Sequence, residues 1–119
     1  MSTYPSGQHF SVDVSLATVY GLNAAFLIHL LQKLLRFERD FRGYGSEDSR
    51  TWIRITYDEL ASHLSFLSYD QVRYAIDKLV DEGVLLRENR NSNKADKVLS
   101  YAFSEEAHFL PVISYNGGK

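Results

Sequence analysis

A chain of 119 residues, 45% of them hydrophobic, is long enough to bury one core and too short for several domains. Its formal charge of −2 sets it apart from a strongly basic nucleic-acid binder. It has no cysteine, which excludes a disulfide framework, a thiol nucleophile and a cysteine zinc site. The opening MSTYPSGQHF lacks a basic start followed by an apolar run, and LNAAFLIHLL is interrupted by His29 and shorter than the roughly 20 residues that cross a bilayer. A cytoplasmic domain without a membrane span is therefore expected.

Residues 1–9 are polar and expected to be loose. FSVDV, Phe10 to Val14, alternates apolar and polar residues and reads as a short strand. Ser15 then precedes LATVY, a short helix closed by Gly21. From Leu22 to Phe41 apolar residues recur at the 3.6-residue period. Leu22, Ala25, Phe26, Leu30, Lys33, Leu34, Phe37 and Phe41 lie near one stripe, and Leu27, Leu31 and Leu35 form a second beside it. So wide an apolar arc belongs to a central core helix or to a helix shared with a second copy. Phe26, Leu27, Leu31 and Leu35 are the candidate homodimer contacts.

RGYGSEDSR reads as a loop and TWIRIT as a strand. Thr56 and Glu59 make a capping box that opens YDELASHL; SFL is a turn; Ser68 and Gln71 make a second box that opens YDQVRYAIDKLVDE. Val72, Ala75, Ile76, Leu79 and Val80 are this helix's apolar face, and Gly83 is placed to end it. VLLRE and KVLSYAF follow as strands around the polar loop NRNSNKAD. The expected fold is mainly α with a small antiparallel β-sheet, a winged helix-turn-helix. The domain is expected at residues 10–104, with a C-terminal extension at 105–119.

In this order, GLNAA at Gly21–Ala25, Trp52 at the head of a strand, FLS at Phe66–Ser68, the run Gln71, Val72, Arg73, Ala75, Ile76, Leu79 and Gly83, and Asp96 with Tyr101 are similar to the winged-helix domains of phage and plasmid replication-initiation proteins, including DnaD-like N-terminal domains. The similarity spans about residues 10–104. DKVLSYAF departs from it, standing where that family has a threonine and a tryptophan. The resemblance implies a winged-helix fold and double-stranded DNA as partner, in replication initiation or transcriptional control.

A winged helix places the second helix of its motif in the major groove. The candidates there are Tyr69, Arg73, Tyr74 and Lys78. Arg73 is suited to a guanine edge and Lys78 to a phosphate. Asp77 opposes them unless it pairs with Arg73 at i, i+4 or accepts from a cytosine amine. On the wing, Arg87, Arg90, Asn91, Asn93, Lys94 and Lys97 make a basic, asparagine-rich hairpin suited to a phosphate backbone or minor groove. The four histidines share no metal-ligand spacing, the adjacent carboxylates diverge on a helix, and no nucleophile or phosphate-loop motif occurs. Neither metal, cofactor nor enzymatic activity is expected. The competing reading is a stand-alone winged helix that binds a host or phage protein, its acidic helix face imitating nucleic acid. Tyr44, Tyr57, Tyr69, Tyr74 and Tyr115 are that reading's candidate contacts.

Overall fold

The computed structural model describes residues 13–42 and 50–110. Two helices come first, α1 at Val14–Tyr20 and α2 at Leu22–Arg42. They are followed by β1 at Ile53–Arg54, α3 at Tyr57–His63, α4 at Tyr69–Asp81, β2 at Leu85–Glu88, β3 at Ser100–Phe103 and α5 at Glu106–Phe109. The sheet is antiparallel in the order β1-β3-β2, with Ile53 opposite Tyr101 and Leu86 opposite Ala102. No described helix is long and apolar enough to cross a membrane.

The expected strand over Phe10–Val14 does not form at its described end. The side chain of Asp13 accepts from the backbone N–H groups of Ser15 and Leu16 and caps α1, which starts at Val14, ahead of the LATVY run where the helix was expected. An aspartate carboxylate there satisfies free amides and meets the positive end of the helix dipole, so it outcompetes a weak period-two pattern. Residues 1–12, the loop at 43–49 and residues 111–119, with Tyr44 and Tyr115, lie outside the described residues. At residues 105–110 the chain stays with the core. Phe109 stacks on Phe103 at 4.6 Å, Gln32 and Arg39 donate to the carbonyls of Phe109 and Leu110, and Glu106 accepts from Thr51.

The helix-turn-helix is set by local chemistry. Both capping boxes form: Thr56 and Glu59 exchange hydrogen bonds at the start of α3, Ser68 and Gln71 at the start of α4. At the other end of α4, Gly83 has φ +79°, which a side chain rarely tolerates. The Val84 N–H reaches the Leu79 carbonyl and the Gly83 N–H that of Val80, a Schellman closure that turns the chain into β2. Between these ends Val72, Ala75, Ile76 and Leu79 are buried in one core with Leu60 of α3, Leu64 just after it and the inner face of α2.

That inner face is the second stripe. Leu27, Leu31 and Leu35 are wholly buried in the chain's own core, so they cannot be dimer contacts as expected. Phe26 is half-buried and meets Phe66 edge-on at 4.9 Å. Nine further buried or half-buried side chains of the sheet and α4 could not all be covered without α2, which is why the leucine stripe turns inward rather than toward a second copy. The first stripe divides. Ala25 and Leu30 are buried, whereas Leu22, Phe37 and Phe41 are exposed.

Ser68→Ala removes one cap bond and strands an amide of the first turn. It should lower the unfolding free energy by about 1 kcal/mol in urea titration, with an unchanged m-value. Leu79→Ala should cost about 2–5 kcal/mol in the same measurement, since it empties a fully enclosed site.

Candidate nucleic-acid interface

The exposed side of α4 carries two rows at i, i+4 spacing. Tyr69, Arg73 and Asp77 form the row next to the wing, for Tyr69 meets Tyr57 edge-on at 5.7 Å and Asp77 contacts β2. Asp70, Tyr74 and Lys78 form the next row. Tyr74 and Lys78 line a hollow of about 310 Å³ with Tyr20, Leu22 and Asn23. The four candidates on this helix are thus divided between two sides of it. Lys78 is half-buried, its Nζ donating to the Tyr20 carbonyl at 3.4 Å. Arg73 makes no hydrogen bond or ion pair among the described residues and reaches into solvent.

Asp77 does not pair with Arg73. Its Oδ1 accepts from Arg87 Nη1 of β2 at 2.7 Å and from the Tyr57 hydroxyl at 3.2 Å, and the same guanidinium donates to Tyr57 Oη at 2.9 Å. Tyr101 of β3 adjoins the cluster. Its phenol is pushed well above the usual range, first by burial and then by hydrogen bonding with Tyr57. The hydrogen bond to Asp77 raises the Arg87 guanidinium further, so Arg87 stays charged at every accessible pH. Arg87 is therefore a brace between wing and helix, not the free phosphate contact expected. Tyr57 is half-buried in the same brace rather than a surface tyrosine.

The wing loop spends its polar groups on itself. Asn91 Nδ2 donates to the carbonyls of Asp96 and Val98 while its Oδ1 accepts from Arg54 Nε at 2.7 Å. Asn89 spans the loop to the carbonyls of Lys94 and Asp96, Asn93 Oδ1 accepts from the Ala95 N–H, and Lys94 Nζ donates to the Asn89 carbonyl at 2.6 Å. Arg54 Nη2 and Asp96 Oδ2 close the base at 2.6 Å. Arg90 pairs with Glu88 at 3.1 Å and lies over the Trp52 ring at 4.4 Å. Asn91 is thus loop scaffolding, Asn93 stays exposed with its Oδ1 on the Ala95 N–H, and Arg90 and Lys94 point their charge partly inward. Lys97 alone among the wing candidates is exposed with no polar partner among the described residues.

Lys97 and Tyr69 face each other across a cleft of about 360 Å³ between wing and helix, lined also by Thr56, Tyr57, Asp58, Val98 and Tyr101. Sequence reading missed Trp52 and Arg54 as the residues that hold the wing. Arg54 carries one signal, the exposed, charged place in an otherwise apolar strand run.

Mostly helical architecture, a helix-turn-helix and a three-stranded antiparallel sheet with β2–β3 as the wing define a winged helix-turn-helix protein. No family model and no curated protein matches the chain. Among solved structures it is similar to an N-terminal domain of a DNA-binding protein, with a TM-score of 0.61 at 12% identity, over 92% of this chain and 79% of that one. At that identity the likeness is one of fold.

The Asp96 carboxyl is held below the ordinary aspartate range by the Val98 N–H and then by Arg54. A depressed carboxylate adds order that is complete above its unfolded value near 3.9 and is lost as pH falls through the lower folded value. Amide resonances of residues 89–98 should therefore lose dispersion in acid below about pH 3.9. Asp96→Asn should remove that transition.

Proposed function

We propose that this protein binds double-stranded DNA through α4 and the β2–β3 wing, as a winged-helix protein of phage or plasmid type acting in replication initiation or transcriptional control. The observation that carries the reading is the Asp77–Arg87 pair. It neutralises the one carboxylate in the row that faces the wing, leaving Arg73 exposed in that row one turn after Tyr69, which lines an open cleft with Lys97 and Asp58. Asp70 lies in the first turn, where its charge meets the helix dipole, and Asp81 lies at the far end. Arg73 is then the base-edge donor, and Lys97 and the Tyr69 hydroxyl are phosphate contacts on the strand that crosses the cleft. The likeness of fold to a DNA-binding protein's domain supports the reading, and the sequence resemblance supports its finer assignment. Nucleic-acid mimicry is disfavoured by the same pair, because an imitation of phosphates needs Asp77 uncompensated.

The test is fluorescence anisotropy with a duplex selected from a random library. Lys97→Ala should weaken binding to all sequences alike and reduce the slope of log K against log salt by about 1. Arg73→Ala should cost about 1–3 kcal/mol on the selected duplex and relax its sequence preference. Absence of duplex binding at low salt sinks the proposal.

A further inference from the structure

The face of α2 turned away from the core is not polar. Phe37 is 67% and Phe41 78% exposed, one turn apart, with rings stacked at 6.0 Å and 10°. Leu22 is 55% exposed on the same side. Between and beside them stand Lys33 and Asp40, both exposed, and neither makes an ion pair or hydrogen bond among the described residues. At 100° per residue Lys33 and Asp40 fall on one meridian of the helix and Phe37 and Phe41 on the next. Two large exposed aromatics in one patch with two unused opposite charges are the composition of an interface, not of a solvated helix face.

We infer that this face binds a second copy of the chain, α2 against α2, antiparallel about a two-fold axis near Phe37. The charges select this occupant. Lys33 lies four residues before Phe37 and Asp40 three after it, so reversing the helix direction sets Lys33 of each copy against Asp40 of the other. A two-fold contact needs a patch complementary to itself, and this arrangement of opposite signs on either side of an aromatic centre is one. The area is of the right order for a reversible dimer. Two phenylalanines of roughly 200 Å² in each copy, two-thirds or more exposed, supply about half of the roughly 1,200 Å² that a small specific interface buries. The opposite face of α2 packs on α4, so the dimer leaves both reading helices uncovered.

Sedimentation equilibrium on the full chain without DNA tests this apart from any DNA reading. The weight-average mass should rise from 13.6 kDa toward twice that value across the micromolar to submillimolar range. Phe37→Ser with Phe41→Ser should leave a monomer whose circular dichroism matches the parent and whose melting temperature matches that of the parent diluted to its monomeric range. Lys33→Asp alone should raise the dissociation constant at least about tenfold by setting like charges together, and adding Asp40→Lys should restore it. A mass that stays monomeric at every concentration overturns the inference. So does a dimer indifferent to the two phenylalanines, and a charge reversal that the second substitution does not rescue overturns the antiparallel arrangement.

Discussion

Among the described residues the wing of this protein is held to α4 by one charged contact, Arg87 of β2 on Asp77, with Tyr57 of α3 joining both. Three elements that the chain visits in succession meet at that point. Its contribution to stability is modest: the two side chains are 27% and 45% exposed, and pairs so open to water contribute about 1 kcal/mol or less. Its importance is directional. The planar guanidinium donates to a carboxylate and a phenol at once, which admits few orientations of β2 against α4. The hydrophobic core supplies the stability, and this junction sets the angle at which wing and helix open toward the cleft between them.

Local signals in the sequence were sufficient for the helix-turn-helix. Thr56 with Glu59, Ser68 with Gln71, and Gly83 act within three to five residues of themselves, so their roles are written in the chain. The side of α2 that faces inward was not legible, because two adjacent stripes are both apolar and only the rest of the fold chooses between them. The internal partners of the wing's polar residues were hidden for a related reason. Asparagines in a hairpin tip look like surface chemistry, yet Asn91 answers to Arg54, 37 residues away, and Asp96 to the same arginine, 42 away. Asp77 lies between the cases. Its helical neighbour Arg73 offered a partner by spacing, and a strand arginine ten residues on displaced it.

Polar residues here do two separate tasks. Those at 54, 87, 89, 91 and 96 hold elements in place and are satisfied within the chain. Arg73, exposed on α4, and Lys97, at the cleft, have no such partner among the described residues. A count of charges along the sequence merges the two kinds, which is why the overall charge of −2 says little about the potential at the cleft. At the cleft itself one charge of each sign remains, Lys97 and Asp58, once the paired charges are set aside.

The wing loop, tied at its base by Arg54 and across its middle by Asn89 and Asn91, is ordered before anything touches it. A flexible wing would have to surrender chain entropy at each encounter, and that cost would appear as a slow or reversible final step in association. If this protein binds duplex DNA as proposed, a wing already folded would meet it as a rigid body. Encounter rate would then be governed by diffusion and long-range charge rather than by loop rearrangement, and differences among targets would show up in how long each complex lasts.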